Sequence, residues 1–342
     1  AFNGEDIVEQ GSYLLMRGIN ITEGSIRHSS ELDRYYSGSI EKLDKYKLAV
    51  GDLVIGMDGS KVGRNSAIVS SYEDGSYLVQ RVCRIKSSIG NNYILQFINN
   101  TKFHQYVDTV KTSSAIPHIS LGDIQNFRIS IPPTQDETDK IAKLFLLLDE
   151  RIATQNKIIE RLETLIKGIT QNITLHNKPN VRISECLECT SSTLQESDAL
   201  RSGTYPVYGA NGIVGYLDNY STQDEAVYII KDGSGVGTVS YVTGQCSTTG
   251  TLNTLQAKEG YSLQYLYYIL KVFNFEPYKT GMAIPHIYFK DYGKAKIFCP
   301  SYTKQLQYAR LLSAIDGKVS TEQNSLASLS LQKQYLLRQM FI

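Results

Sequence analysis

The chain has 342 residues, of which 42% are hydrophobic and 20% charged, so it is long enough for about two domains with sizeable cores. Its 35 Lys and Arg residues balance 34 Asp and Glu residues, which excludes a bulk electrostatic signal for nucleic acid. Five irregularly spaced cysteines and the lack of a long apolar run argue against a disulfide scaffold and a transmembrane helix, and predict a cytoplasmic protein.

The pentapeptide AIPHI occurs twice, at residues 115–119 and 283–287, and each copy lies at the same point of a duplicated pattern. Before it, LVIGMDGSKVG (53–63) resembles VYIIKDGSGVG (227–237), and both predict a strand that enters a Gly-rich turn. After it come a strand-like run that ends at proline (127–133 and 294–300) and a long helical pattern. We therefore interpret the chain as one unit duplicated, with AIPHI as a loop-and-packing element.

The predicted order is an α/β domain at 1–133, a helix at 134–178, a second α/β domain at 179–300 and a second helix at 301–342. Thr134 and Glu137 have the spacing of a capping box at the first helix start, and Pro179 follows its end. When the two halves are aligned, the first half is shorter at its start. The sequence therefore does not settle whether the first domain has an opening strand. Because the chain begins without Met, we expect a trimmed N-terminus.

The two helical patterns carry apolar residues at steps of three and four, and a shift of 167 residues superimposes them. This spacing indicates an antiparallel coiled coil in which the duplicated unit has pseudo-twofold symmetry. Two ordinary core helices, each buried against its own domain, are the alternative. The predicted coiled-coil seam is Leu144, Leu148, Ile152, Ile159, Leu162, Ile166, Leu311, Ile315, Val319, Leu326, Leu329 and Leu336.

The sequence contains no complete catalytic or metal motif. The turn DGSGVG (232–237) lacks the Lys-Ser or Lys-Thr of a phosphate-binding loop, and a turn with positive φ is the simpler interpretation. Cys186 and Cys189 form half of a zinc pattern, and two part-buried thiols are the simpler reading of them. We therefore predict no catalytic residues and no metal site.

Two divergent globular domains, each followed by a long helix of repeated pattern, resemble the specificity subunit of type I restriction–modification systems. The resemblance covers essentially the whole chain. It is most specific from each AIPHI through the following helix, including Leu147-Leu148-Asp149 and Ile315-Asp316.

The resemblance implies that each domain is a target recognition domain that reads half of a bipartite double-stranded DNA sequence. The helices would set the spacer and dock methyltransferase subunits. S-adenosylmethionine would be carried by those subunits, and ATP and Mg by the restriction/translocase subunits. The chain itself would hold no cofactor and perform no chemistry.

Neither domain is basic in bulk, since the first has 14 basic and 14 acidic residues and the second has 9 and 11. DNA contacts must then come from focused loops, where Arg suits guanine edges, Lys suits phosphates and Asn suits adenine. The candidates are Lys61, Arg64, Arg81, Arg84, Lys111 and Thr112 in the first domain, and Tyr208, Asn211, Lys231, Ser234, Lys279 and Thr280 in the second.

Two other functions fit part of the pattern. A non-catalytic coiled-coil adaptor would explain the helices but not the two large domains. A fragment of a DNA methyltransferase would need a cofactor loop and a tetrapeptide like N-P-P-Y, and IPPT (131–134) is not one.

Overall fold

The computed structural model describes residues 2–79, 81–281 and 284–341. They form two compact units: residues 1–155 with 325–342, and residues 156–324. The strands are β1 (Ile7–Val8), β2 (Tyr13–Met16), β3 (Ile21–Thr22), β4 (Ser25–Ile26), β5 (Tyr35–Tyr36), β6 (Leu53–Gly56), β7 (Ser66–Ile68), β8 (Tyr77–Leu78), β9 (Val82–Ile85), β10 (Val181–Arg182), β11 (Leu187–Ser191), β12 (Tyr205–Gly209), β13 (Gly212–Leu217), β14 (Glu225–Ile230), β15 (Val239–Thr243), β16 (Ser247–Thr248), β17 (Leu252–Ala257) and β18 (Lys296–Ile297). The helices are α1 (Asn91–Ile98), α2 (Thr101–Val110), α3 (Leu121–Asn126), α4 (Gln135–Leu175), α5 (Ile183–Cys186), α6 (Leu263–Lys271), α7 (Phe289–Tyr292) and α8 (Tyr302–Met340).

Each unit is built on a buried antiparallel strand with a partner on either side. In the first unit β6 lies between β7 and β9, and in the second β14 lies between β15 and β17. Among the strands that the structure describes, each unit also has one parallel pair, β2 with β8 and β12 with β16. The α/β fold class and the duplication are therefore confirmed in the topology of the sheets.

The two helical patterns form α4 and α8. The side chain of Thr134 accepts a hydrogen bond from the Glu137 amide at 3.3 Å, as expected of the predicted cap. Each unit contains the start of the helix that follows its own domain and the end of the other helix. Since this division falls within the helices, the domain boundaries at 133, 178 and 300 stay predictions.

The two helices pack antiparallel as a coiled coil in the first unit. The ring of Phe145 on α4 lies 5.4 Å from the ring of Phe341, the residue that directly follows the end of α8. Four residues further along α4, Asp149 forms an ion pair with Lys333, which is eight residues earlier on α8. Later residues of α4 thus contact earlier residues of α8, so the two helices run in opposite directions.

The seam prediction was wrong by one residue at one position of each helix. Leu144 and Leu311 are 40% and 50% exposed, whereas Phe145 and Leu312 are 0% and 1% exposed. With Phe145 and Leu312 in the seam, both helices keep alternating steps of three and four up to Ile152 and Val319. The predicted Leu144 and Leu311 break that alternation with a second step of four.

The strand predicted at 294–300 is present as β18, but the one predicted at 127–133 is not a strand. Strand β18 pairs with β10, with Val181 opposite Ile297. No described strand pairs with residues 127–133, and an extended segment without a partner gains no ladder of hydrogen bonds. Sequence alone predicted both strands because the two runs have the same apolar alternation.

Within the described ranges, no helix combines the length and the apolar character that a membrane span requires.

A buried carboxylate network stabilises the first unit. The Glu73 carboxylate accepts hydrogen bonds from the amide and hydroxyl of Ser70 at 2.7 and 2.6 Å. The His28 ring lies 3.0 Å from both Glu73 and Asp33. Burial opposes the charge of Glu73, but the bonds from Ser70 and His28 outweigh it, so the pKa of this carboxyl is lowered from 4.5.

We expect Glu73→Gln to lower the unfolding free energy of the first unit by about 1–2 kcal/mol at neutral pH, because bonds to a charge are replaced by bonds to an amide. The charged form contributes stability above pH 4.5, and that stability is lost as the pH falls through the lowered pKa. The variant should therefore show a flatter fall in stability below pH 4.5 than the parent chain in chemical denaturation. Parallel pH curves for the two proteins would contradict this role of Glu73.

Candidate DNA interface

The AIPHI loop of the first unit is bound to the Gly-rich turn by backbone hydrogen bonds. The Ile119 amide donates to the Met57 carbonyl and the Gly59 amide donates to the Pro117 carbonyl, both at 3.0 Å. The loop is closed on itself by Thr112, whose amide donates to the His118 carbonyl at 3.0 Å. The two motifs singled out in the sequence therefore form one structural element.

The second unit repeats this arrangement with the equivalent backbone atoms. The Ile287 amide donates to the Lys231 carbonyl and the Gly233 amide donates to the Pro285 carbonyl, both at 2.9 Å. Thr280 and His286 exchange both of their backbone hydrogen bonds. Ala283, the first residue of this copy of AIPHI, lies outside the described residues. The backbone hydrogen bonds of both copies agree with the packing role predicted for the pentapeptide.

Glycine is required at two positions of each turn. Gly59 and Gly233 have φ of +93° and +96°, and Gly63 and Gly237 have φ of +73° and +90°. At Gly63 a Cβ atom would also lie 2.8 Å from the Val107 side chain. A tight turn, and not a phosphate-binding loop, explains these glycines.

Four predicted basic residues of the first unit gather around this turn and loop, and each faces a carboxylate. Arg64 and Lys111 share Asp108, with N–O distances of 3.2 and 2.6 Å. The remaining ion pairs are Lys61 with Glu23 at 3.0 Å and Arg81 with Asp58 at 3.3 Å. Lys61 and Arg81 are the most exposed, with 61% and 57% of the side chain accessible.

Arg84 differs from the other candidates because its side chain holds the fold together. Its guanidinium donates to the carbonyls of Lys45 and Lys47 and lies 3.7 Å from Asp52. Only 22% of the side chain is exposed. This arrangement favours a structural role for Arg84, whereas its predicted contact with DNA stays untested.

In the second unit, exposed Ser234 and Thr280 and half-buried Lys231 lie on the turn and the AIPHI loop. Lys279 is tied to Glu276 at 2.6 Å, as Lys111 is to Asp108. The hairpin of β12 and β13 carries half-buried Tyr208 and, at its tip, exposed Asn211. A cleft of about 430 Å³ lies between this hairpin and the residues that flank the turn. Its lining includes Tyr208, Ala210, Gly212, Ile230, Thr238 and Ser240.

The sequence analysis did not predict the carboxylates that form ion pairs with these cations. Asp108 precedes Lys111 by three residues, as Glu276 precedes Lys279, and that spacing was an available signal. A hydrogen bond from Lys111, assisted by the charge of Arg64, lowers the pKa of Asp108. The carboxylate therefore stays charged at neutral pH and fixes both cations beside the turn. Glu23 and Asp58 have no comparable sequence signal.

The cysteines behave as thiols of the interior. Cys186 is buried and Cys189 half-buried, and burial raises the pKa of Cys189 to about 11. In the parts of the chain that the structure describes, no three His, Cys, Asp or Glu side chains gather as metal ligands would.

Comparison with known proteins agrees with the duplicated architecture. The sequence model of the family described as "Type I restriction modification DNA specificity domain" matches residues 6–164 and 178–331. The Type I restriction enzyme EcoprrI specificity subunit of Escherichia coli is 28% identical over 134 residues, which are 39% of this chain and 32% of that protein. The chain thus spans about a third of the length of the curated relatives it matches.

Two solved structures share the fold. The S subunit of a type I restriction-modification system from M. genitalium has a TM-score of 0.69 and 16% identity, over 100% of this chain and 92% of that one. A chain from a structure of type I R-M complex assembly and conformational transition has a TM-score of 0.50 and 15% identity, over 95% and 90%. Because the family model matches both halves and most of the chain, this protein belongs to the type I restriction modification DNA specificity domain family.

Proposed function

We propose that this chain is the DNA-reading specificity subunit of a type I restriction–modification complex. Each domain reads one half of a bipartite target in double-stranded DNA. Helices α4 and α8 set the spacer between the half-sites and dock methyltransferase subunits. Restriction/translocase subunits complete the complex, and S-adenosylmethionine, ATP and Mg belong to these partners.

The observation that best supports this proposal is a shared backbone with different side chains. The two turn-and-loop elements share three equivalent backbone hydrogen bonds, which the Ile119, Gly59 and Thr112 amides donate in the first unit. Lys61 and Arg64 nevertheless stand where the second unit has Gly235 and Thr238. A subunit that reads two different half-sites needs this combination, because the framework positions the loop and the side chains select the bases. Ion pairs with exposed carboxylates leave the cations free to exchange partners for phosphate, since such pairs contribute little in water.

We expect Lys61→Ala combined with Arg64→Ala to weaken recognition of one half-site only, by roughly 10- to 100-fold. DNA binding by the complex with its methyltransferase subunit would be measured on the target and on targets with either half scrambled. Lys102→Ala with Arg128→Ala removes one Lys and one Arg from exposed positions of the same domain, and serves as the control. Equal loss from the two double variants, or equal sensitivity to both scrambled halves, would place the reading surface elsewhere.

The chain by itself should perform no chemistry, because it carries no complete catalytic motif. Purified without partners, it should transfer no methyl group from S-adenosylmethionine to target DNA. Radiolabelled methyl transfer above the protein-free blank would contradict this non-catalytic role.

A further inference from the structure

The pentapeptide AIPHI contains two isoleucines with opposite surroundings, and the difference is the same in both units. The second isoleucine is buried, since Ile119 is 3% exposed and Ile287 is 1% exposed. The first is exposed, since Ile116 is 59% exposed and Ile284 is 66% exposed. Burial of the second isoleucine explains the packing role of the pentapeptide. The first isoleucine lies mostly in water, so packing does not explain its presence in both copies.

Both exposed isoleucines are held in place by their own loop. The Ser114 hydroxyl donates a hydrogen bond to the Ile116 carbonyl at 2.6 Å. In the second unit, Nδ1 of His286 donates to the Ile284 carbonyl at 3.2 Å. The proline that follows each isoleucine restricts its backbone to extended conformations, and the branched Cβ restricts its side chain. A ligand that contacts either side chain therefore meets a group with little conformational entropy to lose.

Each exposed isoleucine is attached to the Gly-rich turn by the residue that follows it. The Pro117 carbonyl accepts a hydrogen bond from the Gly59 amide, and the Pro285 carbonyl accepts one from the Gly233 amide. In the first unit this turn carries the exposed cation of Lys61. Both isoleucines therefore belong to the surface proposed to face DNA.

The polar neighbours of Ile116 favour DNA over a protein partner. The loop residues before it include half-buried Lys111 and exposed Ser113 and Ser114. The core of a protein–protein interface is a larger apolar area that is depleted of charged residues. A single apolar side chain beside hydroxyl groups and a cation matches the mixed polar and apolar edges of base pairs better.

We propose that Ile116 and Ile284 each contact the 5-methyl group of a thymine, each in the half-site that its own domain reads. This inference rests on the proposed function and adds a specificity-determining apolar contact to it. Base edges in the major groove present hydrogen-bond donors and acceptors, and thymine adds a methyl group. A polar base edge placed against isoleucine would lose its hydrogen bonds to water, whereas a methyl group gains by leaving water. Each isoleucine therefore selects an A·T pair at one position of its half-site.

The test replaces each thymine of the target, one at a time, with deoxyuridine, which lacks only the methyl group. Binding is measured with the full chain in complex with its methyltransferase subunit, on the target found by methylome sequencing. We expect one substitution in each half-site to weaken binding roughly three- to fivefold, the effect of one buried methyl group.

Variants of the two isoleucines assign each effect to its loop. In Ile116→Ala the uracil effect should disappear from one half-site only, and in Ile284→Ala from the other half-site only, because contacting groups are coupled and distant ones are not. Both variants should keep the thermal stability of the parent chain, since both side chains are exposed. Ile131→Ala is the control, because Ile131 also precedes a proline and is 53% exposed but lies outside the loop. It should leave both uracil effects in place.

Uracil effects of unchanged size in Ile116→Ala and Ile284→Ala would overturn the proposal, as would a half-site that contains no A·T pair. Weaker assembly with the methyltransferase subunit and unchanged uracil effects would also overturn it, because the isoleucines would then belong to a protein interface. If scrambled half-sites weaken binding but no uracil substitution does, the thymine contact is wrong and DNA reading is right. If neither change weakens binding by the parent complex, the proposed function itself is wrong.

Discussion

Phe145→Ala is expected to lower the unfolding free energy of the first unit by about 3–5 kcal/mol, the usual cost of deleting a buried aromatic side chain. Phe145 is 0% exposed and belongs to a cluster of aromatic and aliphatic side chains on α1, α4 and α8. Removing the ring leaves a cavity where helix α4 meets both its own domain and the end of α8. Thermal denaturation with amide exchange would assign the loss to residues of the first unit.

Leu146→Ala is the control for this change. Leu146 is the next residue on α4 and is 40% exposed, so its truncation should change stability by no more than about 0.5 kcal/mol. A loss for Leu146→Ala as large as that for Phe145→Ala would contradict the packing described for the seam.

Tyr292→Ala is expected to have a comparable effect, about 3–5 kcal/mol, on the second unit. The ring is fully buried and meets Phe275 edge-on at a centroid distance of 5.4 Å. Its hydroxyl accepts a hydrogen bond from Asn253 at 3.2 Å, and burial raises its pKa far above the ordinary range. The truncation therefore creates a cavity and removes a partner from a buried amide.

The variant Tyr292→Phe separates these two contributions, because it keeps the ring and removes only the hydrogen bond. It should cost about 1 kcal/mol in chemical denaturation. Tyr288→Ala, at a 48% exposed position four residues earlier, should be nearly neutral. If Tyr292→Phe costs as much as Tyr292→Ala, the hydrogen bond and not ring packing dominates at this position.

Periodicity predicted the helices well because a spacing repeated over ten turns averages out local exceptions. It did not choose between Leu144 and Phe145, since both are apolar and lie next to each other on the helix. The choice depends on Phe97 and Phe341, which meet Phe145 in the folded chain from distant positions of the sequence. The same ambiguity between adjacent apolar residues explains the error at Leu311.

The absent strand at 127–133 has a different physical cause. A helix satisfies its own hydrogen bonds, whereas a strand depends on a neighbour. The run that ends at Pro300 has such a neighbour in β10, and the run that ends at Pro133 has none among the described residues. The two runs have the same alternation of apolar residues, so the sequence could not show which run forms a strand.

At the candidate interface, sequence identified the charged residues but not the partners that hold them. Arg84 was chosen for its chemistry, yet its guanidinium binds carbonyls about forty positions earlier in the chain. Lys111 could have been paired with Asp108 by its spacing, but Lys61 and Glu23 meet only through the fold. The pairing of AIPHI with the Gly-rich turn likewise depends on contacts between residues that are more than 50 positions apart in each unit.

We propose that the two domains of this chain read two separate half-sites. Methylome sequencing of cells that express this chain with its partner methyltransferase tests it most directly. We expect a methylated motif with two specified half-sites separated by an unspecified spacer, and the variant with Lys61→Ala and Arg64→Ala should relax one half only. A single uninterrupted motif, or relaxation of both halves by that variant, would contradict it.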